Sequence, residues 1–118
     1  MKLDEEGLLV RIFVGETDRW RGQPLHEAIM MRAREMGLAG TTVLRGVAGF
    51  GANSRIHTTK ILRLSEDLPM VIEIADSPER IHNFLPALDE MVSEGLVTLE
   101  RVRIILYRPR VSGTTAGA

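Results

Sequence analysis

The alternation of apolar and polar positions divides the chain into two similar halves. Leu8, Val10, Ile12 and Val14 fall on one side of an extended segment, with Leu9, Arg11 and Phe13 on the other. This period of two predicts a strand over Leu8–Val14. Both sides are largely apolar, so the strand is expected inside a sheet rather than at its edge. A polar connection follows over Gly15–Gly22 and carries Trp20, the only tryptophan. Leu25, Ala28, Ile29, Ala33 and Met36 then recur at helical spacing over Pro24–Met36. Pro24 suits the first turn, and Gly37 can take the left-handed conformation that ends a helix. Thr41–Gly49, β-branched at its start and bounded by glycines, predicts a second strand leading into Gly49-Phe50-Gly51-Ala52-Asn53-Ser54.

The second half repeats the scheme. Between the halves, Arg55–Asp67 mixes apolar anchors with basic residues and shows no clean period. Pro69 opens a third strand, Met70–Ala75. Ser77 followed by Pro78 forms an N-cap and first-turn pair for a helix whose stripe is Ile81, Phe84, Leu85, Leu88 and Val92. Pro86 lies inside that helix and predicts a kink near His82. Gly95 is expected to close the helix as Gly37 closes the first, each followed by a leucine. The last strand runs over Val97–Tyr107, with Val102, Ile104 and Leu106 on one side. Val97 and Leu99 have the opposite parity, which predicts a bulge near Glu100. Residues 1–109 form one domain, and 110–118 have too little apolar content to order themselves. The order strand, helix, strand, strand, helix, strand predicts an α+β, ferredoxin-like split βαβ-βαβ domain: a four-stranded antiparallel sheet with two helices on one face.

Composition narrows the function. Fifteen Lys and Arg against sixteen Asp and Glu give a formal net charge of −1, so no global field draws the protein to nucleic acid. The absence of cysteine removes disulfides, thiolate nucleophiles and Cys-based metal sites and fits a reducing, cytoplasmic compartment. The acidic start and the lack of a long apolar run argue against a signal peptide and against membrane insertion.

Chemistry concentrates after the second strand. Arg45-Gly46-Val47-Ala48-Gly49-Phe50-Gly51 lets backbone approach a ligand closely, with Arg45 or Arg55 supplying positive charge to an anion. The spacing is neither the dinucleotide fingerprint nor the Walker pattern, and it lacks the aromatics of an RNA-binding signature. Simple glycine shaping of a strand exit accounts for the segment equally well. His57 stands beside Arg55 and Lys60 and can contact a phosphate or carboxylate, whereas His26 and His82 are isolated and form no metal-ligand spacing. Arg101 and Arg103 share one side of the last strand, where two guanidinium groups can grip an anion at a subunit boundary or pair with acids such as Glu73. No nucleophile has an identifiable base, so a non-enzymatic protein is expected. The acylphosphatase arrangement, which shares this fold, needs a phosphate-cradling loop after the first strand. Here Gly15-Glu16-Thr17-Asp18 would repel the phosphate.

The segments LLVRIFVGE, LRGVAGFGANSRIH, LPMVIEIADSPERI and EGLVTLERVRIILY, in this order over Gly7–Pro109, resemble the family of short PII-like proteins, related in fold to the PII nitrogen-regulatory proteins and to CutA. The run Arg45–His57 is the most specific part. The resemblance implies a homotrimer with ligand clefts between subunits, an adenine nucleotide as the candidate ligand, and a mobile loop over about Phe50–Asp67 that contacts a regulated enzyme or membrane transporter. The PII phosphate-binding loop before the last strand has no counterpart in Glu94-Gly95-Leu96-Val97-Thr98, and the loop tyrosine that PII proteins modify is missing. The expected ligand-binding set is therefore Arg45, Gly46, Gly49, Phe50, Gly51, Arg55, His57, Lys60, Arg101 and Arg103. The expected function is trimeric signalling in response to a small anionic metabolite or nucleotide. A CutA-like divalent-ion or stress-tolerance trimer is the alternative.

Overall fold

The computed structural model describes residues 5–50 and 67–110. The elements are β1 (Glu5–Gly15), β2 (Arg19–Trp20), β3 (Gln23–Pro24), α1 (Leu25–Glu35), β4 (Thr42–Arg45), β5 (Pro69–Asp76), α2 (Pro78–Met91) and β6 (Leu96–Ile104). The short strands β2 and β3 pair as a hairpin within the polar connection. The other four form one sheet in the order β4-β5-β1-β6, every neighbouring pair antiparallel. This is the ferredoxin-like arrangement, with β1 interior as its two apolar sides require.

Both helices pack on one face of the sheet. Val10 and Ile12 of β1 and Ile72 of β5 are fully buried there against Ile29 of α1 and Ile81 and Phe84 of α2. The N-cap of α2 is the expected one: Ser77 Oγ accepts from the Arg80 amide at 3.3 Å. Helix α2 continues through Pro86. His82 and Pro86 are both exposed, so the His82 carbonyl that loses its helical donor faces water.

Three expectations are corrected. First, β4 ends at Arg45 rather than Gly49. The Gly46 amide donates to the Pro69 carbonyl at 2.7 Å, and Pro69 has no amide hydrogen with which to extend the ladder. Second, β6 has no bulge near Glu100. It pairs with β1 in unbroken register from Glu5↔Ile104 to Phe13↔Leu96. The parity change reflects an edge strand apolar on both sides: Val97 and Leu99 face the helix side without being covered, and Leu96 faces the other.

Third, the two Gly-Leu pairs do different work. After α1, the Gly37 amide donates to the Arg34 carbonyl and the Leu38 amide to the Ala33 carbonyl, both at 3.1 Å, with Gly37 at φ +80°. These two bonds make a Schellman cap whose leucine packs on the core. Helix α2 has already ended at Met91, with Val92 as its extended C-cap. Gly95, at φ +152°, belongs instead to the entry into β6.

Candidate functional site

The glycine-rich exit sits at the end of the sheet where β1 finishes and β5 begins. A Cβ placed on Gly46 would lie 2.6 Å from Pro69 Cγ, and one on Gly49 would lie 3.1 Å from the same atom. The two glycines thus let the chain fold tightly over the Pro69 ring as it leaves β4. Phe50 follows, 70% exposed. Gly51, Arg55, His57 and Lys60 lie outside the described residues, as does most of the Phe50–Asp67 loop.

Arg45 Nη2 donates to Glu16 Oε1 at 3.1 Å and lies 2.9 Å from Glu16 Oε2 in an ion pair. The neighbouring Thr17 is tied to Asp67: its amide and hydroxyl both donate to Asp67 Oδ1, at 3.2 and 2.9 Å. Asp18 Oδ2 accepts from the Gly15 amide at 2.9 Å. The turn after β1 therefore commits two amides to carboxylates of its own chain, the physical obstacle to an acylphosphatase-type phosphate cradle there. Sequence reasoning read Glu16 and Asp18 only as repulsive charges and missed Asp67 and Pro69. An acid one residue beyond the strand end was the available signal for the Arg45 contact.

Arg101 and Arg103 share the helix side of β6, as expected, and both are exposed. They do not pair with Glu73, which binds Arg11 on the opposite face. Nor do they meet the glycine exit. Arg45 is level with Val14 of β1, while Arg101 and Arg103 are level with Leu8 and Glu6. That is about 20–27 Å along the strands, with β4 and β6 on opposite edges of the sheet. Within one protomer Arg45 and the arginine pair of β6 cannot grip one small ligand.

The face of the sheet away from the helices is open. At its centre Arg11 Nε donates to Glu73 Oε2 and Nη1 to Glu100 Oε1, both at 2.7 Å, linking three strands. The hydrogen bond to Glu73, reinforced by the negative charge of both carboxylates, raises the Arg11 pKa above its usual value. The guanidinium stays charged at any working pH, and its charge is lost only on raising the pH through that elevated value. Arg11→Met leaves Glu73 and Glu100 facing each other across β1. A lower melting temperature than wild type at pH 7 is expected. A melting temperature equal to that of wild type would contradict this. Toward the far end of this face lies a shallow depression of about 270 Å³ lined by Leu9, Thr42, Glu73 and Tyr107 among others. Leu9 pairs with Ala75, far from the Gly15↔Pro69 end where Arg45 sits, so the depression is separate from the glycine exit.

Among the described residues, no group of three or more His, Asp or Glu is arranged to hold a metal ion. The His26 Nδ1 atom is buried without a hydrogen-bond partner, and His82 is exposed on α2. No described helix is long and apolar enough to cross a membrane.

Comparison with known proteins accounts for this arrangement. A UPF0166 protein of Aquifex aeolicus (strain VF5) is 40% identical over 97 residues, covering 82% of this chain and 91% of that protein. A UPF0166 protein of Methanocaldococcus jannaschii is 33% identical over 92 residues, covering 77% and 84%. Among solved structures, a candidate PII-like signalling protein of Thermus thermophilus superposes with a TM-score of 0.62 at 19% identity, covering 89% of this chain and 94% of that one. CPII of Thiomonas intermedia K12, bound to ADP and bicarbonate, gives 0.57 at 16%, covering 89% and 93%. At these identities the structural likeness concerns the fold, which is PII-like. Residues 7–104 match the family described as "DUF190: Uncharacterized ACR, COG1993", and the chain belongs to that family.

Proposed function

We propose that this protein is a non-enzymatic, PII-like regulator. It binds a small anionic metabolite or nucleotide at clefts between the subunits of a homotrimer and reports occupancy through the segment after Gly49. The observation that carries this reading is the separation of its cations. Arg45 and the glycine exit lie at one end and edge of the sheet, Arg101 and Arg103 at the other. A second copy is the economical way to bring them onto one ligand. The occupancy of CPII by ADP and bicarbonate supports the choice of an adenine nucleotide or small anion. Gly51, Arg55, His57 and Lys60 complete the proposed set from the loop side, and a regulated enzyme or transporter would read the loop.

Calorimetric titration with ATP, ADP, AMP and cyclic nucleotides tests the ligand, and light scattering tests the trimer. Binding of at least one nucleotide is expected, with at least a tenfold loss in the double variant Arg101→Ala/Arg103→Ala, since a charged hydrogen-bonding contact is worth about 1.5–3 kcal/mol. Flat heats for every nucleotide would remove the nucleotide version, and a monomer mass at micromolar concentration would remove the intersubunit cleft. A melting temperature raised by divalent metal and by no nucleotide would select the CutA-like alternative.

A further inference from the structure

The charge balance around Arg45 limits which anions it can take. Glu16, Asp18 and Asp67 surround the same end of the sheet, yet only Glu16 lies on the cation. Asp18 is held by the Gly15 amide and Asp67 by Thr17. Both partners of the ion pair stand on fixed backbone. Arg45 is the last residue of β4, paired with Met70, and the Glu16 amide donates to the Leu68 carbonyl at 2.8 Å. Glu16 is the more sheltered partner, its side chain 28% exposed against 55% for Arg45.

We infer that Glu16 is a resident counter-anion of the loop base and biases its ligand class: Arg45 favours an anion of the phosphate or diphosphate type, carrying at least two negative charges, over a monocarboxylate. The inference rests on the anion-binding reading above. A carboxylate tethered this way competes at a high effective concentration. A free monocarboxylate offers Arg45 the same chemistry as Glu16 without the tether and competes poorly. A phosphate dianion brings more charge to the guanidinium than a monocarboxylate does. The exchange stays reversible because a partly exposed ion pair is weak.

The test uses the full chain and inorganic pyrophosphate, titrated calorimetrically at low ionic strength into wild type, Glu16→Gln, Asp18→Asn and Glu16→Gln/Arg45→Gln. None of these substitutions touches the core. Pyrophosphate is expected to bind wild type, and Glu16→Gln to bind it about two- to fivefold more tightly, the factor that releasing an exposed ion pair corresponds to. Asp18→Asn removes the same charge from the same end of the sheet without freeing Arg45 and is expected to gain less. The Glu16→Gln gain is expected to vanish when Arg45 is also replaced. Acetate should fail to displace pyrophosphate from wild type.

Equal affinities for wild type and Glu16→Gln would overturn the inference while leaving anion binding intact. So would an equal gain in Asp18→Asn, a gain that survives the loss of Arg45, or effective competition by acetate. Absence of pyrophosphate binding to all four proteins would overturn the anion-binding reading itself, and the inference with it.

Discussion

Phe84→Ala is expected to lower the free energy of unfolding by about 3–5 kcal/mol, the largest loss from any single side chain among the described residues. Among the described residues Phe84 is the largest of the fully buried side chains, and it lies in the cluster that joins α2 to β1 and β5. Only 4% of the chain is aromatic, so the core is otherwise built of aliphatic residues that cannot move into a cavity of that size without leaving their rotamers. A domain of this length has roughly 5–15 kcal/mol in all. The variant should therefore show a large shift of its urea midpoint or be unfolded at rest. A loss under about 1 kcal/mol would mean that the helix layer does not pack as described.

Gly95→Ala is expected to cost about 2–3 kcal/mol by urea denaturation, and clearly more than Gly37→Ala. Both glycines have positive φ, +152° and +80°. Space separates them. A Cβ on Gly37 meets nothing within 4 Å, whereas one on Gly95 would lie 2.6 Å from the Phe13 carbonyl oxygen and 3.2 Å from Val14 Cγ1 and Val92 Cγ1. Gly37→Ala bears only the left-handed backbone penalty, about 1–2 kcal/mol. Gly95→Ala must also push β1 away just where β6 begins to pair with it, at Phe13↔Leu96. Equal losses in the two variants would show that backbone conformation alone decides both positions.

These two glycines mark the boundary between what was legible in the sequence and what was not. A helix and its cap are local: the stripe of α1, the Ser77-Pro78 start of α2 and the Gly37-Leu38 stop are set by residues within a turn or two of each other. The interior position of β1 was legible as well: Leu8, Val10, Ile12 and Val14 supply the helix face, and Leu9 and Phe13 flank Arg11 on the open one. Gly95 looks the same as Gly37 in sequence. What distinguishes it is the approach of β1, about eighty positions earlier.

The register of β6, the early end of β4 at Pro69 and the contact of Glu16 with Arg45 are of the same kind. Each depends on backbone hydrogen bonds or charges between segments far apart in the chain, and no local period encodes them. In the candidate site, the sequence by itself determined the inventory, a glycine-rich exit with Arg45 before it and a pair of arginines on the last strand. Only the tertiary structure decided that these cations stand at opposite ends of one protomer and that Arg45 already holds a carboxylate. Side-chain spacing along a strand is fixed by the pleat, but which strands become neighbours, and hence which charges meet, is fixed by how the helices and sheet share a single core.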